Sequence, residues 1–367
     1  MKTPVVLVVP GTLQARTGGY LYDRRMVDGL RRLGWQVDVL ELDATFPYPT
    51  TAALDHASGA LAAVRTGTIT IVDSLALGAM AEIVTREGCR LAVVALVHLP
   101  LAAAIGVDRA TAARFEQAER RALAAASLVV VTGQAALPLI AGYDVAPGRI
   151  TVVEPGTDRA PLAHGSRREQ RDGHAIDERK SPLELICVAT LNPGKGHEIL
   201  LEALATVKDP EWRLTCAGSL TRDPKTVAQV RSTVARLRLD ERVVLVGDVD
   251  RRALARLYDR ADVAVLATRQ ETYGMAVAEA LAYGLPVVAT KTGAIPDLVG
   301  DGAGVLVPVG DVAALSTALA RVLGDASLRA RLADGARGRR DRLPSWDDAA
   351  TRMSFALERL CGVHAGG

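Results

Sequence analysis

Short apolar runs and stretches of helical period take turns along most of this chain. Residues 5–9, 37–40, 69–72, 91–97, 128–131 and 150–153 are apolar or nearly so, which is the texture of strands covered on both faces. Between them, residues 20–33, 76–86 and 109–126 carry apolar side chains at helical spacing. The same alternation resumes at 183–189, 213–217, 243–246, 263–266 and 286–289, with helices expected over 198–206, 253–258 and 275–283. Strands that alternate with helices predict parallel sheets flanked by helices. The pattern breaks once, at AHGSRREQRDGHAIDERKS over 163–181, a charged stretch too poor in apolar residues to fold alone. The expected organisation is α/β: a Rossmann-like domain over 1–160, a polar linker over 161–181 and a second Rossmann-like domain over 182–344. Pro344 sets off a last helix over 345–360, with Trp346, Met353, Phe355, Leu357 and Leu360 as its apolar positions. Ligands of open parallel sheets sit beyond the carboxyl ends of the strands, so two such domains facing each other would form a cleft for one.

Composition narrows the partners. A net charge of +2 over 367 residues, with neither half strongly basic, argues against nucleic acid. Cys89, Cys187, Cys216 and Cys361 show no CxxC spacing, and Cys187 and Cys216 fall inside apolar runs, as buried thiols of a protein in reducing cytosol would. The opening MKTPVVLVVPG is too short for a signal segment, and residues 91–107 are broken by His98 and Pro100 before reaching membrane-spanning length. Arg24, Arg25, Arg31 and Arg32 on the first helix read as a solvated face, so membrane contact is not expected and the location expected is cytoplasmic.

The most informative stretch is RQETYGMAVAEALAYG, residues 269–284. Glu271 falls in a loop and Glu279 about a turn inside the helix that follows Gly274. A helix start offers unpaired N–H groups to a phosphate, while a carboxylate beside it suits sugar hydroxyls. The combination points to a ligand with both phosphate and polyol, such as a nucleotide sugar. The competing structural reading is a helix-capping Glu271 and a solvated Glu279. Other candidates stand at strand ends. Arg16-Thr17-Gly18-Gly19 follows the first strand, His98 closes the strand over 91–97, and Asp73-Ser74 ends the strand before it. Thr190-Leu191-Asn192-Pro193-Gly194-Lys195-Gly196 follows the strand over 183–189 and places a cation where it can meet a diphosphate.

With these residues in view, the chain resembles a family 4 retaining glycosyltransferase of GT-B architecture. The resemblance rests on Glu271 to Glu279 with AEALAYGLPVVAT and GAIPDLV, on VATLNPGKGHEILLEAL, on Gly18-Gly19, and on EPGTD over 154–158. It implies a two-domain GT-B fold whose last helix crosses back onto the first domain. It also implies that Glu271 bonds donor-sugar hydroxyls, that backbone N–H groups near Tyr273, Gly274 and Met275 meet the sugar or distal phosphate, and that Glu279 holds the ribose. Lys195 and Gly19 would meet the diphosphate, Thr190, Asn192 and Gly218 would line the donor site, and Val249 would lie near the base. His98 matches a histidine beside the reacting sugar, and Arg16, Asp73, Ser74 and His98 would border the acceptor. One departure stands out: Thr190 occupies the place of an arginine that usually accompanies the lysine. The GDVD segment over 247–250 contains a DxD pattern, which binds metal in another glycosyltransferase class, but its place before a helix reads as capping. No metal and no cofactor are expected beyond the nucleotide sugar itself, with a UDP-sugar favoured over a GDP-sugar. The acceptor is not specified by these residues. A sugar-nucleotide epimerase of the same fold and a non-catalytic nucleotide-sugar-binding protein are the rival readings.

Overall fold

The computed structural model describes residues 2–166 and 182–364, so most of the expected linker lies outside the described residues. The chain divides into two compact units, Met1–Gly156 with Pro344–Gly367, and Thr157–Leu343. Each is built on one six-stranded sheet, and every recorded strand pairing is parallel.

In the first unit, β1 (Val5–Pro10), β2 (Val37–Leu42), β3 (Ile69–Asp73), β4 (Ala92–Val97), β5 (Leu128–Val131) and β6 (Ile150–Val152) are ordered β2-β1-β3-β4-β5-β6. The chain moves outward from β1 to β2 and then returns to the other side of β1, so a topological switch point falls between β1 and β3. β3, β4 and β5 are buried at every position, as strands sandwiched between helices must be. Helix Gly18–Arg32 lays Tyr22, Met26, Val27 and Leu30 inward. Helix Trp346–His364 packs on it: Ala350 approaches Gly29 so closely that a Cβ there would stand 2.4 Å from the alanine methyl. Trp35 donates from Nε1 to Ser354 Oγ at 2.9 Å, and Tyr22 and Trp346 meet edge to face at 6.1 Å. The last helix therefore belongs to the first unit's core, although the second unit separates the two in sequence.

In the second unit, β7 (Leu183–Val188), β8 (Trp212–Ala217), β9 (Val243–Gly247), β10 (Val263–Leu266), β11 (Val287–Thr290) and β12 (Gly304–Val307) are ordered β12-β11-β10-β7-β8-β9. Here the switch point lies between β7 and β10. Residues 157–166 group with this unit. The Ala163 N–H donates to the Tyr283 carbonyl and the Gly165 N–H to that of Asp259, both at 2.9 Å.

Several elements were not predicted. Strand β12 and helices Thr51–Ala62, Pro224–Arg236, Val312–Gly324 and Ala326–Arg340 have weaker or alanine-diluted periodicity. The helix expected over 76–86 is broken into Ser74–Leu77 and Ala81–Glu87 by a tight turn at Gly78–Met80. At Gly78 the neighbouring helix presses close, with Glu119 Cγ only 2.7 Å from where a Cβ would be.

Candidate functional site

The second unit's switch point gathers the residues that the sequence singled out. Lys195 sits in the loop after β7, and Glu271 in the loop after β10, the two strands that flank the switch. Their side chains meet as an ion pair, Lys195 Nζ donating to Glu271 Oε1. Both are partly shielded, with 26% of the lysine side chain and 13% of the glutamate side chain exposed.

Backbone contacts hold these loops in place. The Arg269 N–H donates to the Gly194 carbonyl at 2.7 Å. Thr268 Oγ1 lies 3.0 Å from the carbonyl oxygens of both Gly194 and Gln270. Gly196 has a φ of +64°, and a Cβ there would come within 2.1 Å of the Ala267 carbonyl oxygen. Only glycine permits that backbone approach. Gly293, at φ +55°, does the same on the other side: its Cβ would overlap the Glu271 carbonyl oxygen at 1.7 Å. The GKG and TGA turns are thus the wedges that set Lys195 and Glu271 facing each other.

Helix Met275–Ala282 begins directly after the Glu271 loop. Gly274 precedes it in a left-handed conformation, no side chain caps it, and no acidic residue occupies its first turn. Its first N–H groups and partial positive charge are thus directed to the same carboxyl end of the sheet. Val277, Ala278 and Leu281 bury its other face, each larger side chain contributing about 1.5–3 kcal/mol of burial. Glu279 is half-buried, not solvated. Tyr258 donates its hydroxyl to Glu279 Oε2 at 3.0 Å and stacks on Tyr283 at 4.9 Å. Burial, with the nearby Glu279 charge, raises the Tyr258 pKa well above the ordinary tyrosine value, so this phenol is a fixed donor.

The other expected donor-site positions are distributed around this centre. Tyr273 and Gly274 are buried and Met275 half-buried at the helix start. Thr190 and Asn192 are half-buried in the loop that leads to Lys195. Gly218 closes β8 and backs onto Ala189 and Thr190, its N–H donating to the Gly247 carbonyl at 3.0 Å. Val249 is half-buried after β9. In the GDVD segment, Asp250 caps helix Arg251–Arg260 by accepting from the Ala253 N–H at 2.7 Å.

The first unit brings together a second group of expected residues. His98, after β4, has its Nε2 3.0 Å from Asp23 Oδ1 and 3.4 Å from Asp73 Oδ2. Gly19 lies against the His98 ring, where a Cβ would be 3.5 Å from Cδ2. Ser74 is buried beside Asp73, whereas Arg16 and Gly18 are exposed. Asp23 and Tyr258 were missed in the sequence reading. Asp23 is a charge on the buried stripe that carries Met26, Val27 and Leu30, which is the signal that would have found it. No comparable signal marks Tyr258.

Comparison with known proteins bears on this geometry. Residues 166–339 match the family model described as Glycosyl transferases group 1. Among curated relatives, D-inositol 3-phosphate glycosyltransferase of Xylanimonas cellulosilytica is 33% identical over 241 residues, which is 64% of this chain and 57% of that protein. Its counterpart in Corynebacterium efficiens is 30% identical over 233 residues, 62% of this chain and 55% of that one. The chain thus spans somewhat more than half the length of these relatives. Among solved structures, sucrose-phosphate synthase of Thermosynechococcus elongatus superposes with a TM-score of 0.82 at 21% identity, covering 99% of this chain and 100% of that one. Anabaena HepE, solved with UDP and glucose, gives 0.75 at 17% identity over 98% of this chain and 100% of that one. These likenesses establish the fold. No described helix is long and apolar enough to cross a membrane.

Proposed function

We propose, on the premise that residues 166–339 belong to the group 1 glycosyl transferases within a GT-B fold, that the protein moves a hexosyl group from a nucleotide sugar to an acceptor hydroxyl. The observation that carries this reading is the pairing of Lys195 with Glu271 beside an uncapped helix start at a sheet switch point. It supplies a cation and N–H groups for a diphosphate, and a carboxylate for sugar hydroxyls, at one place.

The costly event is cleavage of the anomeric C–O bond to phosphate, as negative charge grows on the departing diphosphate. Once donor binding has turned Lys195 from Glu271 to the diphosphate, it and the first N–H groups of helix Met275–Ala282 oppose that growing charge without further reorganising during the bond cleavage. Glu279, oriented by Tyr258, takes the ribose hydroxyls, and Glu271 takes those of the hexose. Thr190 stands where a second cation is usual, so Lys195 carries a larger share of the neutralisation.

A UDP-sugar is the donor we favour, supported by the UDP and UDP-glucose bound in HepE. Transfer with retention of anomeric configuration and without metal follows from the family resemblance, and the reducing cytosol is the compartment the free thiols suit. The test is incubation with a panel of UDP- and GDP-sugars and polyol, polyol-phosphate and glycan acceptors, with the product anomer read by proton NMR. A retained anomer, formed equally with EDTA, is expected. Tight donor binding with no transfer to any acceptor would favour a binding protein, and epimerised donor an epimerase.

A further inference from the structure

The first unit holds a buried cluster whose chemistry goes beyond a histidine near a sugar. The second turn of helix Gly18–Arg32 and the carboxyl ends of β3 and β4 converge on the His98 ring. One nitrogen, Nε2, faces two carboxylates, at 3.0 Å from Asp23 and 3.4 Å from Asp73. Asp23 is fully buried and Asp73 is 3% exposed. Asp73 Oδ1 is engaged by the Leu75 N–H at 2.7 Å, and Asp23 Oδ2 is buried without a hydrogen-bond partner. Arg24, next along the helix, directs Nη1 to the carbonyls of Leu13 and Ala15. Two buried anions this close cannot both persist without a positive charge beside them, and the group placed to supply it is the imidazole. Tyr22 meets the ring edge-on at 5.3 Å and Gly19 lies against its Cδ2 edge, so the ring plane is fixed. With Nε2 committed to the carboxylates, Nδ1 is the ring nitrogen left to donate elsewhere, and 20% of the His98 side chain stays exposed.

We propose that Asp23 and Asp73 are positioning residues that hold His98 as an imidazolium, so that it presents a charged Nδ1–H donor at the carboxyl end of the first unit's sheet and does not act as a general base. The groups that face it support this assignment. Burial alone pulls the His98 pKa down, but the Asp23 charge and the hydrogen bonds to Asp23 and Asp73 outweigh it and raise the value from 6.5 to about 10. The Asp23 carboxyl is itself raised by burial, with His98 and, more weakly, Arg24 opposing and Asp73 reinforcing that rise. Tyr22 is pushed well above the ordinary tyrosine range by burial and by Asp23, and stays neutral. The consequence rests on the glycosyl-transfer reading. An imidazolium has no lone pair for the acceptor proton. When the acceptor oxygen bonds to the anomeric carbon and the C–O bond to phosphate breaks, the acceptor proton goes to a base other than His98, and on this reading that base is the departing phosphate oxygen.

The test is a pH titration of the full chain carrying isotope-labelled histidine, with the His98 signals assigned by their loss in His98→Gln. The expected result is a ring protonated on both nitrogens from pH 6 to 8.5, with a midpoint that falls below pH 8 in Asp23→Asn. A wild-type His98 that is neutral at pH 7 overturns the proposal, whether or not any transferase activity is found. So does stoichiometric manganese binding that Asp23→Asn abolishes, which would make the cluster a metal site. Once a substrate pair is known, Asp23→Asn should lose roughly tenfold or more in kcat with KM within about twofold. That loss should deepen as pH rises through the lowered midpoint. Failure of the donor panel would instead sink the functional reading while leaving the titration result intact.

Discussion

Lys195 and Glu271 hold each other in the structure, yet the proposed ligand needs both. If a diphosphate binds at the start of helix Met275–Ala282, Lys195 must turn from Glu271 to phosphate. The two replacements Lys195→Ala and Glu271→Gln should therefore act in different directions on a nucleotide that lacks sugar. Lys195→Ala removes one charge-assisted hydrogen bond to phosphate, which is worth about 1.5–3 kcal/mol, so UDP affinity should fall roughly tenfold to a hundredfold. Glu271→Gln removes a competing anion and keeps the shape, so UDP should bind as well as to wild type or somewhat better. With a UDP-sugar the glutamine variant should lose that advantage, because the hydroxyl acceptor has been weakened, and its kcat/KM should drop by a similar tenfold or more. Stability should change less. The pair is partly exposed, so its contribution lies nearer the surface range of about 0.2–1 kcal/mol than that of a buried pair. Isothermal titration with UDP and then with UDP-glucose reads the affinities, transfer kinetics read kcat/KM, and urea melts read the stability. Lys195→Ala binding UDP as tightly as wild type would refute the assignment.

Three further outcomes follow from the same geometry. Glu279→Ala should weaken UDP binding about tenfold or more and erase any preference for UDP over 2′-deoxy-UDP, whereas a preserved preference would remove the ribose from Glu279. Gly293→Ala places a Cβ on the Glu271 carbonyl at a positive φ. It should lower stability by at least about 1 kcal/mol in urea melts and reduce donor affinity together, and an unchanged melt would contradict the wedge role. The folded-state pKa of His98 is raised, from 6.5 to about 10. Its stabilising contribution is therefore full below pH 6.5 and lost as pH climbs towards 10. Urea melts of wild type and His98→Gln should converge over that window, and a stability gap that is constant from pH 6 to 10 would contradict the pairing.

Much of this was legible in the chain, for identifiable reasons. β4 and β5 are continuous apolar runs because both faces are covered, and such runs announce themselves. Lys195, Glu271 and Gly274 sit in short loops at strand ends, where turn chemistry restricts residue choice, so the motif and the fold point to one place. The pairing of Lys195 with Glu271 was not legible. They are separated by 76 positions, and only the crossover that puts β10 beside β7 brings them together. Asp23 carried a partial signal, an acid on the buried stripe of its helix, but its partners His98 and Asp73 arrive from other strands and only the fold brings them to it. Tyr258 likewise shows its role only when packed under Glu279. Helix Val312–Gly324 and its neighbour Ala326–Arg340 escaped because alanines and arginines blur the apolar stripe.

The most direct measurement is a crystal structure of the full chain with a UDP-sugar bound. The diphosphate should lie at the first turn of helix Met275–Ala282, with Lys195 turned from Glu271 onto it, and with Glu271 and Glu279 on sugar and ribose hydroxyls. A nucleotide lodged elsewhere, with the Lys195–Glu271 pair still closed, would contradict that placement.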